Sequence, residues 1–315
     1  MQLFFAVSAY TLLTVDQHEN YGRFLVRRAF RIAPMFYLAI CFYVAVLGMG
    51  PRFFSPSGIT PLDVAATFAF LHDWLPNAAD SVVPGGFTVG CEAMFYLAFP
   101  LLARLVNNLP RAVAFLAISL VVSVGLYLLI PHIVAGPPAQ IRSFSYFIFP
   151  AQLPAFAMGF VAYHAVKASR DRAWAMRAAG LAMAPILAAI AILALADTEV
   201  SRLHLLGDLL LGALLGAVAI APPRWIDNRV MTYLGRVSFS VYIVHFAVIA
   251  AAAPLARMSP IGGLAFYPMV LGVSVAIASL TWRFIETPMI HLGRRVSQRM
   301  AGKGEAPARL GAQGA

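Results

Sequence analysis

Between Ala112 and Pro131 the chain runs AVAFLAISLVVSVGLYLLIP, 20 consecutive positions without a charge. A helix of that length, rising about 1.5 Å per residue, crosses roughly 30 Å of bilayer hydrocarbon and satisfies its own backbone there. Comparable runs recur at 1–15, 32–49, 87–106, 146–166, 174–196, 204–221, 237–255 and 263–283. Together they predict an all-α, polytopic integral membrane helical bundle of about nine transmembrane helices. Only 11% of the 315 residues are charged and the mean hydropathy is +0.80, whereas a soluble domain carries roughly 25% charged residues. No soluble domain-sized segment separates the runs, so residues 1–297 read as one membrane domain. The Gly-, Ala- and charge-rich stretch 298–315 reads as a disordered tail.

The arginines set the orientation. Segments following alternate runs hold 19 of the 23 basic residues, among them Arg23, Arg27, Arg28 and Arg31, then Arg104 and Arg111. The other side keeps only Arg52, Arg142, Arg202 and Arg257. Basic loops resist translocation, so the C-terminus is expected in the cytoplasm and Met1 outside. A chain whose first residue already lies across the membrane suggests one further helix upstream, giving ten spans. The net charge of +10 is dispersed over alternating loops rather than gathered in one patch, which excludes a nucleic-acid partner. Cys41 and Cys91 lie in apolar runs and read as packed thiols, and no spacing points to a metal.

The longest polar interval, 50–86, carries Asp63, Asp73 and Asp80 against Arg52. Within it PLDVAATFAFLHDWLP predicts a short amphipathic or re-entrant helix starting after Pro61. His72, Asp73 and Trp74 follow as an interfacial group.

Ionisable groups inside a bilayer are costly, and four places stand out. Glu92, in GGFTVGCEAMFYLAFP, lies 12 positions before Arg104, about 18 Å into the membrane at 1.5 Å per residue. Thr88 precedes it by one turn and Tyr96 follows by one. A helix-packing salt bridge is the plain alternative to a site. His245, in LGRVSFSVYIVHFAV, is nine residues past Arg236 with Tyr242 on the same helical face. It is either a packing histidine or a group that shares a cavity with Glu92, since the two lie at comparable depth. Arg27, Arg28 and Arg31 form either a positive-inside anchor or a clamp for phosphate, which guanidinium binds bidentately. Glu286, in WRFIETP, closes the last run as a partner for those arginines or as a solvated helix end.

Taken in order, these stretches resemble the acyltransferase 3 family of bacterial multi-pass membrane O-acyltransferases. LFFAVSAYTLL is similar to that family's FF-x-x-S-G-Y-L helix, with Ala9 where Gly is usual. RFLVRRAFRIAPMFYL resembles its arginine-rich segment. GGFTVGCEAMFYLAFP resembles a W-[ST]-L-x-x-E-x-x-F-Y element, with Phe87 and Val89 replacing the Trp and Leu. LGRVSFSVYIVH and ETP are similar to its late elements. The resemblance implies transfer of an acyl group, usually acetyl, from acetyl-CoA or another acyl-CoA to a hydroxyl of a surface or exported glycan. It also implies residence in a bacterial cytoplasmic (inner) membrane.

By matching motif, Arg27, Arg28 and Arg31 would hold CoA phosphates. Glu92 and His245 would be catalytic, and Thr88, Tyr96 and Tyr242 would line the substrate cavity. No cofactor is expected to be bound permanently. The expected partners are a glycan or lipid-linked glycan acceptor and membrane lipids. The family places its principal catalytic histidine on the first helix, which the resemblance puts before Met1. Transport or flipping of a lipid-linked glycan, and an inactive truncated remnant, are the competing expectations.

Overall fold

The structure is a computed structural model and describes residues 1–14, 20–169, 172–195, 200–256 and 262–300. Among these residues it is helical, without a β-strand. The helices are α1 (Gln2–Thr14), α2 (Tyr21–Leu47), α3 (Pro61–Phe68), α4 (Phe87–Leu105), α5 (Leu109–Ile133) and α6 (Pro138–Phe147), then α7 (Leu153–Ser169), α8 (Ala173–Leu195), α9 (Val200–Ile220), α10 (Arg229–Ala256), α11 (Gly262–Thr281) and α12 (Thr287–Met300). Among the described residues, six helical spans are long and apolar enough to cross a membrane. The pair Pro138–Phe147 and Phe149–Ser169, bent by 60°, makes a seventh when counted as one. Pro150 and Pro154 account for that bend, because neither offers a backbone N–H to a helical ladder. The remaining predicted runs are the shorter apolar helices Gln2–Thr14 and His204–Ile220.

Two boundaries differ from the sequence expectation. The apolar run begins near 32, but helix α2 starts at Tyr21, so Arg23, Arg27, Arg28 and Arg31 all stand on its inner end. Arginine is a good helix former, and a helix need not stop where the hydrocarbon does. The side chain of Asn20 caps the start by accepting from the Gly22 N–H at 3.0 Å. At the other end α11 passes through a π turn, Trp282–Glu286, into α12, so residues 298–300 are helical rather than part of a tail. The rest of the expected tail, 301–315, lies outside the described residues. Helix α12 docks on α2 so closely that a Cβ at Gly293 would stand 2.5 Å from the Cβ of Phe30.

The helices gather into two groups. One packs α1, α5 and α9 around α7, with α8 against the outside of α9; in the other α10 lies against α11, and α12 lies against α2. Helix α4 stands at the seam. From it Phe95 stacks on Phe156 of α7 with ring centroids 4.0 Å apart, and Phe156 also stacks on Phe5 of α1 at 4.6 Å. Across the other side Phe99 stacks on Phe24 of α2 at 5.6 Å. Large apolar area thus converges where the polar residues of α4 must be accommodated.

Segment 48–86 folds over the end of the bundle remote from the arginines of α2. As expected from Pro61, a short helix begins there, and Thr60 and Asp63 close a reciprocal capping box at its start. Asn77 donates to Asp63 at 2.7 Å and to the Gly58 carbonyl at 3.0 Å. Arg52 donates to the carbonyls of Val82 at 3.0 Å and Gly48 at 2.7 Å, tying the segment to the end of α2.

Candidate functional site

Glu92 is 4% exposed on α4. A carboxylate at this depth needs donors, because the hydrocarbon supplies none. It has them from two helices. Ser8 of α1 donates to Oε1 at 2.8 Å, and Tyr96, one turn along α4, donates to the same oxygen. The Arg28 guanidinium lies 5.6 Å from the Tyr96 ring centroid and 5.4 Å from that of Phe24. The charges of Arg31 and Arg28 both reach Glu92. One carboxylate is therefore joined to α1 by a hydroxyl and to α2 by electrostatics, across the seam described above.

Arg31 also acts on Glu286, which is 2% exposed in the π turn and accepts from Ser240 of α10. Thr281 donates in turn to Ser240 at 2.8 Å. Glu286 is thus buried rather than a solvated helix end; its hydrogen-bond donor is Ser240, and Arg31 acts on it only through its charge. Arg27, one turn before Arg31, is half-buried on α2. The arginine cluster and the two buried carboxylates thus form one polar centre at the arginine end of the bundle.

Thr88 and Tyr242 converge on a second point. Both hydroxyls donate to the carbonyl of Gly85, at 3.0 and 2.8 Å. Gly85 has φ +76, and a Cβ there would stand 2.7 Å from the Phe246 ring and 2.8 Å from the Tyr242 hydroxyl, so only glycine fits. His245 is half-buried beside this junction, its ring centroid 4.1 Å from that of Phe246. His245 Nδ1 lies 2.5 Å from the Tyr242 carbonyl. A carbonyl can only accept, so Nδ1 carries a proton, and in the neutral ring Nε2 is the nitrogen with the lone pair.

Glu92 and His245 share no hydrogen-bond partner among the described residues: Glu92 belongs to the Ser8–Tyr96–arginine group and His245 to the Tyr242–Gly85 junction. Thr88, one turn from Glu92 on α4, links the two groups along that helix.

Within segment 48–86, His72 and Asp73 are buried rather than interfacial, while Trp74 is 44% exposed. His72 Nε2 lies 3.0 Å from the Gly86 carbonyl and 3.3 Å from Asp73 Oδ1. Burial lowers the His72 pKa to about 4, the bond to Gly86 opposing it. Burial likewise raises the carboxyls of Asp73 and Asp80 well above the usual range.

Ser8 and Ser240 were not singled out in sequence, although each is a polar residue inside an apolar run. Asp208 of α9 was missed by the same rule that found Glu92. It is 1% exposed, and its carboxylate oxygens have no hydrogen-bond partner among the described residues. Cys91 is buried and Cys41 exposed, both as free thiols. No group of three or more potential metal ligands occurs among the described residues.

A polytopic helical bundle that holds carboxylates and guanidinium groups between its spans is an integral membrane protein with an internal polar site. The acyltransferase 3 model, described as an acyltransferase domain, matches residues 1–283, and the chain belongs to that family. It is therefore a multi-pass membrane protein of the acyltransferase type. The match ends at Arg283, so Glu286 and the ETP element lie beyond it. No curated protein and no solved structure matches the chain.

Proposed function

We propose that this protein moves an acyl group, acetyl in the first instance, from acyl-CoA to a hydroxyl of a surface or exported glycan, in a bacterial cytoplasmic membrane with its C-terminus inside. The observation that carries the proposal is the buried Glu92, bound by Ser8 and Tyr96 within electrostatic reach of Arg28 and Arg31. In this scheme Arg27, Arg28 and Arg31 take the donor's phosphates, because guanidinium pairs with phosphate oxygens and all three stand near one end of α2. Glu92 fixes the Tyr96 and Ser8 hydroxyls beside that donor. His245 Nε2 takes the proton of the acceptor hydroxyl. The acceptor oxygen forms a bond to the thioester carbonyl carbon, the carbon–sulfur bond breaks, and the proton leaves with the CoA thiolate. Thr88, Tyr96 and Tyr242 line the path between the two groups.

The test uses the full chain in lipid nanodiscs with acetyl-CoA and the glycan fraction of the expressing cells. Arg28→Ala and Arg31→Ala are expected to raise KM for acetyl-CoA about tenfold or more, equivalent to roughly 1.4 kcal/mol. Glu92→Gln and His245→Ala are expected to lower kcat about 100-fold. Transfer that survives in all four variants overturns the assignment. Glycan export lost on deletion, with acetylation unchanged, would favour transport instead.

A further inference from the structure

Helices α2, α10 and α11 leave an apolar groove of about 590 Å³ between them, open sideways to the bilayer. Met35 and Phe42 form one wall, Ala247 and Ala251 the second, and Val273 and Ile277 the third. Its extent along α11, from Met269 to Thr281, is about 18 Å at 1.5 Å per residue. One hydrocarbon leaflet is about 15 Å thick, half of a bilayer core. The groove thus matches the length of a single lipid chain.

Its ends are not alike. Toward the arginine end, all three walls turn polar on the same helical faces that line the groove. Arg31 is one turn before Met35 on α2, Ser240 lies a turn before Val244 on α10 with Arg236 a further turn back, and Thr281 terminates the wall of α11. Thr281, Ser240 and Glu286 are hydrogen-bonded to one another, and the charge of Arg31 reaches Glu286. Arg31 acts on Glu92 and Glu286 through its charge, and Arg236, exposed like Arg31, stands on the α10 face that lines the groove. A groove that is apolar for a chain's length and cationic at one mouth fits an amphiphile with an anionic head.

We infer that the groove is a binding site for one hydrocarbon chain of an anionic phospholipid from the leaflet on the arginine side, with the head phosphate at Arg236. The sideways opening favours a membrane lipid over a soluble thioester, and the apolar walls offer no partner to the amides of a pantetheine arm. The lipid head is placed at Arg236 rather than at the donor cluster, whose Arg31 flanks the same mouth, and the inference does not depend on the proposed reaction.

The test is native mass spectrometry of the full chain after detergent exchange from nanodiscs of phosphatidylcholine with phosphatidylglycerol. Phosphatidylglycerol is expected to stay bound while phosphatidylcholine is stripped. Ala247→Phe with Ala251→Phe is expected to lower retained phosphatidylglycerol several-fold. Arg236→Ala, on an exposed residue, is expected to erase the preference for the anionic lipid. Equal retention of both lipids by the unaltered chain overturns the inference, as does unchanged retention in a groove-filled variant that melts at the same temperature. Stoichiometric displacement by palmitoyl-CoA would hand the groove to a donor chain, and a dimer mass free of lipid would hand it to a second copy.

Discussion

Asp73 shows how one residue is held by the absence of another. Its carboxyl is fully buried against α4 where Gly90 has no side chain, and a Cβ there would stand 2.4 Å from Oδ2. Beside it His72 is held neutral by burial, with a pKa of about 4 against the ordinary 6.5. The folded state therefore refuses a proton that an opened segment accepts. The His72 contribution is whole above pH 6.5 and is lost as the pH falls toward 4, roughly 3 kcal/mol in all. Hydrogen exchange at Leu75, whose amide donates to the His72 carbonyl at 3.0 Å, should accelerate by about two orders of magnitude over that window after correction for intrinsic rates. His72→Gln should flatten the dependence while keeping a donor for Gly86. Asp73 works in the opposite sense. Its raised carboxyl stabilises the fold below pH 3.8 and the contribution is lost as the pH rises through the raised value, so Asp73→Asn should remove that loss.

At the scale of elements, α1 is only 13 residues long and is secured by packing more than by its passage through lipid. Its backbone comes close to α7 because Gly159 is there: a Cβ would lie 2.4 Å from the Ala6 carbonyl and 2.7 Å from the Ala9 Cβ. Small residues that admit a close backbone are the usual basis of helix association in lipid. Ser8 sits between Ala6 and Ala9, so displacing α1 also withdraws a donor from Glu92. Gly159→Ala should therefore reduce both the melting temperature and any acyl transfer, whereas Ser8→Ala should reduce transfer with a smaller effect on melting. Thr60→Ala, which opens the capping box of α3, should cost only about 1 kcal/mol, read as faster exchange in residues 61–64. The positions of these helices were legible in sequence because an uncharged run of 20 residues has few other outcomes. The extension of α2 to Tyr21 was not, since hydropathy reports where lipid begins and not where helical hydrogen bonding ends.

For the whole molecule, the sequence showed which residues carry charge inside the membrane and left open which of them meet. Glu92, Tyr96, Arg28 and Arg31 do come together, and Glu286 joins them through Arg31. The pairing of Ser8 with Glu92 spans 84 positions and two helix groups, and no local periodicity encodes it. The arrangement across the bilayer depends on the arginines alone. Asn107 and Ser57 are both exposed outside the helices, the first just past α4 at the arginine end and the second in the segment covering the opposite end. Cysteines placed at each, with the exposed Cys41 replaced by Ala and the buried Cys91 retained, separate the two faces. If basic loops stay in the cytoplasm, a membrane-impermeant maleimide added to intact cells should label Ser57→Cys and leave Asn107→Cys unlabelled until the membrane is opened. The reverse pattern would invert the protein. It would put the arginine mouth outside, away from cytoplasmic acyl-CoA, so this one measurement bears on the proposed donor as directly as any substitution within the site.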